Sequence, residues 1–391
     1  MHPSRSLATS STDLRRVGLH PDHWVPLAQS RQLARGKALG VRFAGEPIAL
    51  ARSESGRVFA LEDRCAHRQL PLSMGVVEGE HLRCAYHAWR YRCDGRLSGI
   101  PYLPKGARPP RGVRSYPCRE AYGHVFVFPG DPERAPQVPF PEIPQWDAPS
   151  HAVMYFAREV ACHYSFMHEN LMDMNHQFLH RGILGRIQPT LLGYERGDTW
   201  IEARYAFEHR GGRRDRGAEF LSGRRARRRE AERPDVVTIR TAYPYQTLSV
   251  RKHEAREPSF ELWAVYVPVD AAQRRHHSFG MLMIRKPPLP GAIHLLFPFI
   301  RRFAEAVFTE DRMAVEAEQR AWDAQGGDWN HEVHPLILDL RALLIRNGVP
   351  AQTSQGPQRG ALAHPEPRPS SAPRKGTAGR PETDPARSLP G

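Results

Sequence analysis

Two short hooks, Cys65-Ala66-His67 and Cys84-Ala85-Tyr86-His87, stand sixteen residues apart, and each offers one thiol and one imidazole. For the four side chains to act together, two loops must be folded onto one point, which constrains everything built around them. Two thiolates and two imidazoles form the ligand set of a [2Fe–2S] cluster in which histidines replace cysteines on one iron. Neutral imidazole removes negative charge and lifts the potential of such a cluster to roughly −150 to +300 mV. A structural zinc site uses the same ligand types in tetrahedral geometry. Zinc fingers usually pair like with like, whereas each hook here is mixed. Cys93, Cys118 and Cys162 lack ligand spacing and read as reduced, buried small hydrophobes.

Around the hooks, VRFAGEPIAL, RVFALE and HVFVF alternate or run apolar between Gly, Pro and Asp, the pattern of short strands. Residues 21–135 therefore read as one β-rich unit with the hooks on its loops, where backbone amides can reach cluster sulfurs. Residues 1–20 read as a flexible N-terminus, and Gly130 to Pro149 is Pro-rich and linker-like. Residues 136–350 carry a helix near 163–181, then strand candidates TWIEARYAFE, DVVTIRT, ELWAVYVPV and FGMLMI, then helices near 301–325 and 335–347. Strands closed by a late helix imply an α+β class, with an antiparallel sheet curved around a helix. A chain of 391 residues with 40% hydrophobic content suffices for two such cores. Five cysteines, no N-terminal apolar h-region and no apolar run near eighteen residues place the protein in the reducing cytoplasm without a transmembrane segment.

A formal net charge of +14 invites a nucleic-acid reading, so its distribution matters. Residues 1–21, 208–235 and 351–391 carry +2, +4 and +3 of it, leaving +5 for the body. The segment from Ala351 is rich in Pro, Arg, Ser and Gly without periodicity and reads as a disordered tail. The Arg-rich insert 208–235 reads as a solvated loop, or as a docking surface for an acidic electron donor or a polyanion. Phe220 is its one aromatic, which argues against base stacking and hence against nucleic acid.

The stretch ENLMDMNHQFLH carries the second piece of chemistry. On one continuous helix Asp173, His176 and His180 fall at i, i+3 and i+7 and share a face, opposite Met167, Leu171, Met174 and Phe178. An ordinary amphipathic helix would present such a polar face to water. Residues 159–180 nevertheless contain no Lys or Arg, where this chain's average gives roughly three in such a span. The polar face thus reads as enclosed, and two enclosed histidines beside a carboxylate point to a metal site. The third ligand is open between Asp173, which alternatively orients an imidazole, and Asp311 in FTEDRMAVEAEQRAW, which otherwise stabilises a helix N-terminus.

With these motifs in order, the chain resembles the α subunit of a Rieske non-haem iron oxygenase, and most of all the group containing vanillate O-demethylase and dicamba monooxygenase. The likeness runs through HPDHWVPLAQS, EDRCAHRQLPLSMGVVEGEHLRCAYHAWRY, HYSFMHENLMDMNHQFLHR and TEDRMAVEAEQ, most of residues 20–325. It implies a Rieske domain followed by a helix-grip catalytic domain. Cys65 and Cys84 would hold one iron of the cluster, His67 and His87 the other. His176, His180 and Asp311 would hold a mononuclear Fe(II), with Asn170 close by. Asp173 would link this site to His87 of the partner subunit in a ring-shaped homotrimer. The activity implied is hydroxylation or oxidative demethylation of a small apolar substrate, aromatic or steroid-like, with O2 as co-substrate.

The second hook reads CAYHAW where the resembled family commonly has CPYHGW, so Ala85 and Ala88 replace a rigid Pro and a permissive Gly. Three residues rather than four separate His176 from His180, and the insert 208–235 has no counterpart. No GxGxxG follows a strand and no second cysteine set appears, so electrons must come from a separate reductase or ferredoxin. The competing reading, a Rieske electron carrier, requires the hooks alone. GAIHLLFPFIRRFAEAVF reads as core, a channel border or a membrane-surface contact, interrupted at Pro298.

Overall fold

The structure is a computed structural model that describes residues 13–209, 235–252, 255 and 257–351. The first twelve residues, nearly all of the Arg-rich insert and the tail after Ala351 lie outside the described residues.

The N-terminal part builds three small antiparallel sheets from short strands. Lys37–Phe43, Glu46–Arg52, Val58–Glu62 and Ser115–Tyr116 form one, and Val25–Gln29, His124–Val127 and Cys118–Ala121 another. Val76–Glu78, His81–Arg83, Arg90–Arg92 and Leu97–Gly99 form the third, a ladder of three-residue strands. Strands this short cannot bury a core alone. Ala49, Phe59, Leu61, Leu72, Leu82 and Tyr91 therefore close together beneath the two cysteines.

The C-terminal part is a seven-stranded, wholly antiparallel sheet. Its order is His151–Val160, His276–Arg285, Phe260–Pro268, Tyr245–Arg251, Val236–Ala242, Trp200–His209 and Ile187–Arg196. The last six form a meander, and His151–Val160 returns to pair along Arg285 to His276. The helices Tyr164–Met172, Ala292–Gln325 and Pro335–Asn347 supply the other layer. Met167, Met172, Leu336, Leu340 and Leu344 meet Ile201, Ile239 and Trp263 of the sheet in one core. This is the expected α+β architecture, with three strands the apolar pattern did not reveal: His151–Val160, Ile187–Arg196 and Tyr245–Arg251. Among the described residues no helix is long and apolar enough to cross a membrane.

Two readings of the termini and the late helix need correction. Residues 13–20 are packed rather than flexible: Leu14–Arg16 is a 3-10 turn, and Val17–Gly18 pairs with Val349–Pro350. Arg15 reaches the Tyr164–Met172 helix, where its guanidinium grips both oxygens of Glu169, and Arg341 bonds the same carboxylate at 2.9 Å. The late helix begins at Ala292, not near 301, and continues through Pro298. Asp311 therefore lies deep inside it and cannot serve as an N-terminal stabiliser.

The β-rich part is sewn to the sheet by backbone and side chain. Ala44 and Gly45 donate to the carbonyls of Pro268 and Val269, both at 2.8 Å, and the Tyr245 hydroxyl donates to the Trp24 carbonyl.

Candidate functional site

The first hook follows strand Val58–Glu62 and the second joins His81–Arg83 to Arg90–Arg92. Gln69 (φ +62°) turns the chain just after the first hook and Ala88 (φ +55°) just after the second, both in the left-handed region. Ala88 thus takes the conformation that glycine adopts without steric cost, and the Cβ leaves the hook intact.

Cys65 and Cys84 are buried and free of any disulfide. The Cys65 thiol lies 3.1 Å from the Tyr91 hydroxyl, which also accepts a bond from the Ala66 amide at 2.9 Å. Burial, and then the neighbouring Cys65, push the Cys84 thiol above its ordinary pKa. The His67 and His87 rings are 4.5 Å apart, and Trp89 stacks on His67 at 4.8 Å with its Nε1 donating to the Tyr102 hydroxyl. Two buried thiols and two imidazoles whose rings lie together suit a cluster that needs two sulfurs on one iron and two nitrogens on the other. Tyr91, Trp89 and Tyr102 were not legible as site residues, since an aromatic has no ligand spacing.

The second constellation is assembled by a break in the expected helix. The segment 163–181 is not continuous: Tyr164–Met172 is α-helical, Asp173 is extended (ψ 91°), and Met174–Phe178 resumes as a 3-10 turn. Asp173 causes the restart, because its Oδ1 accepts bonds from the Asn175 amide at 2.9 Å and Nδ2 at 2.8 Å. The supposed apolar stripe splits accordingly, with Met167 and Met174 buried and Phe178 largely exposed.

The break aims His176 and His180 at the long helix. His180 Nε2 lies 3.1 Å and His176 Nε2 3.7 Å from Asp311 Oδ1. Among the described residues these three are the one set of metal-binding type whose donor atoms all lie within 4.8 Å of one another. Asn170 Nδ2 donates to the same Asp311 oxygen at 3.3 Å. The two rings are held from behind: His180 Nδ1 donates to Glu310 Oε2 at 2.7 Å, and His176 Nδ1 donates to the Asp173 backbone carbonyl. Both bonds place the proton on Nδ1 and leave Nε2 as the free lone pair. Burial lowers the His180 pKa, but the Asp311 and Glu310 carboxylates outweigh it and raise the group overall.

Buried His180 Nε2 makes no properly directed hydrogen bond despite its short distance to Asp311. An orphaned nitrogen beside a carboxylate oxygen and a second imidazole fits a 2-His-1-carboxylate iron site. Glu310 is the participant missed from sequence; its signal was the acidic pair it forms with Asp311. The Asp173 carboxylate does not orient His176, since its carbonyl does that, and its Oδ2 has no hydrogen bond among the described residues.

Residues 23–117 match the Rieske [2Fe-2S] domain family, and residues 160–345 match the vanillate O-demethylase oxygenase C-terminal domain family. A 4β-methylsterol monooxygenase of Methylococcus capsulatus is 30% identical over 346 residues, covering 85% of this chain and 89% of its own. The vanillate O-demethylase oxygenase subunit of a Pseudomonas species is 35% identical over 43% of this chain and 48% of its own. Dicamba monooxygenase bound to dicamba shares the fold, with a TM-score of 0.65 over 85% of this chain and 97% of that one at 24% identity. The oxygenase domain sets aside the reading of the chain as a mere electron carrier. Rieske oxygenase systems take electrons from a separate reductase or ferredoxin and use a mononuclear iron with O2 beside the [2Fe–2S] cluster. With a hook pair in the first matched domain and a three-donor site in the second, the chain belongs to the Rieske oxygenase family as a terminal oxygenase component.

Proposed function

We propose that this oxygenase hydroxylates or oxidatively demethylates a lipophilic, sterol-like substrate, with His176, His180 and Asp311 holding the mononuclear iron. The observation that carries the site assignment is the convergence of their donor atoms with His180 Nε2 left orphaned. The substrate class rests on the likeness to the methylsterol monooxygenase, which spans nearly the whole of both chains. The C-terminal family match favours a second reading, O-demethylation of a methoxyarene.

When bound, the iron supplies oxygen activation and the cluster supplies electrons. The chain's own residues fix the geometry for this. Glu310 and the Asp173 carbonyl hold the two imidazoles in one tautomer, and Asn170 steadies the Asp311 carboxylate. Cys65, Cys84, His67 and His87 hold the cluster, with Tyr91 donating toward the Cys65 sulfur. The protein acts in the cytoplasm as a homotrimer in which the open Oδ2 of Asp173 meets His87 of the partner subunit.

Substrate-dependent O2 consumption with a surrogate reductase, across methylsterols, methoxyarenes and plain arenes, tests the reading. Turnover of a methylsterol above the others is expected; turnover confined to methoxyarenes would select the second reading. An Asp173→Asn protein should keep both iron centres and lose about tenfold or more in turnover. Full turnover would remove Asp173 from the route.

A further inference from the structure

The long helix Ala292–Gln325 has two apolar faces at its N-terminal end, and only one is covered. Ile293, Ile300 and Ala304 pack on Ala152, Met154 and Leu282 of the sheet edge. At about 100° per residue, Leu295 and Phe299 project from the opposite side. They are 77% and 69% exposed, and Leu289, just before the helix, is 70% exposed. Three large apolar side chains bared within eleven residues form a patch that a soluble surface ordinarily hides.

The charge carried by this stretch of chain has one sign. From Arg285 to Ala304 the charged side chains are Arg285, Lys286, Arg301 and Arg302, all exposed, with no acid among them. The nearest carboxylate beyond, Glu305, is already bonded to Arg158. Arg302 lies on the same helical side as Leu295 and Phe299. A two-fold contact of this face with its own copy would bring like charges together and is disfavoured. An apolar ridge flanked by cations is instead complementary to an anionic bilayer, where side chains enter the acyl boundary and cations meet headgroups.

We propose that Leu289, Leu295 and Phe299, flanked by Arg285, Lys286, Arg301 and Arg302, dock this protein peripherally on an anionic membrane surface. The inference stands on the surface alone and does not depend on the substrate reading.

Flotation of the full-length iron-loaded protein with phosphatidylcholine vesicles, with and without phosphatidylglycerol, is the test. The wild-type chain should float with the anionic vesicles, and L295Q/F299Q should bind them about tenfold more weakly while keeping the visible spectrum of the cluster. Equal flotation of both proteins would place binding elsewhere, the Arg-rich segment included, and overturn the proposal. Absence of wild-type flotation would also overturn it, as would conversion of a wild-type oligomer to a smaller species by L295Q/F299Q without vesicle binding. A Phe299→Trp protein provides an independent reading: its added emission should shift to the blue with anionic vesicles, and an unchanged spectrum counts against docking.

Discussion

Glu310 accepts the Nδ1 proton of His180 at 2.7 Å while the adjacent Asp311 lies 3.1 Å from the other nitrogen of the same ring. One helical dipeptide thus addresses both ends of one imidazole, orienting it from behind and, in the proposed assignment, completing in front the donor set that would hold the iron. Glu310→Ala should weaken ferrous binding at this site by about 10- to 100-fold. Competition with a ferrous chelator measures it, and an unchanged affinity would reduce Glu310 to a bystander.

Replacing Asp311 by Ala, or His176 by Ala, should empty one site and spare the other. Iron should fall from about three atoms per chain to about two, with the cluster's visible and EPR spectra unchanged. Loss of the cluster spectrum in either variant would contradict the separation of the two centres.

Ala88 carries a Cβ at φ +55°. The left-handed region costs a non-glycine residue roughly 1–2 kcal/mol, part of which returns as glycine's greater freedom in the unfolded chain. Ala88→Gly should therefore stabilise the second hook by up to about 1 kcal/mol. Thermal bleaching of the cluster at a fixed heating rate should move upward; a downward shift would mean the Cβ makes a contact worth more than the strain.

Burial alone would raise the Glu169 pKa, yet Arg15 and Arg341 together hold it below the ordinary carboxylate value. A depressed folded value means the ion pair stabilises the protein above the unfolded carboxyl pKa. That contribution is lost as pH falls through the folded value. Arg341→Met should cost about 3 kcal/mol at neutral pH. The gap in urea midpoint between variant and wild type should narrow in acid, and a gap independent of pH would show that packing, not charge, was lost.

The pattern Cys65, His67, Cys84 and His87 was legible without tertiary context because two mixed hooks stand out in any chain, and the structure buries both thiols and brings the two rings to 4.5 Å. His176 and His180 were legible as a pair, but the reason given, a shared face on one helix, was not the physical one. Asp173 interrupts the helix by capping a new turn, and neither Gly nor Pro marks the spot. Strand His151–Val160 escaped notice because Arg158 and Glu159 break its apolar run, and Ile187–Arg196 because it is an edge strand whose register shifts between Leu191 and Gly193. Pro298 misled in the other direction, since a proline inside a packed helix can be tolerated when the sheet holds both sides of it.

Among the described residues strand Val17–Gly18 pairs with Val349–Pro350 alone, and Arg15 shares Glu169 with Arg341. On the ribosome the earliest described strand must therefore wait for the last described one, and the Rieske part can finish folding while its leading edge still lacks a partner. Closing so long a loop is slow relative to local pairing. Among the described strands this seam is the latest to close, so a chain halted before residue 349 leaves Val17–Gly18 as an open edge for another chain to pair with.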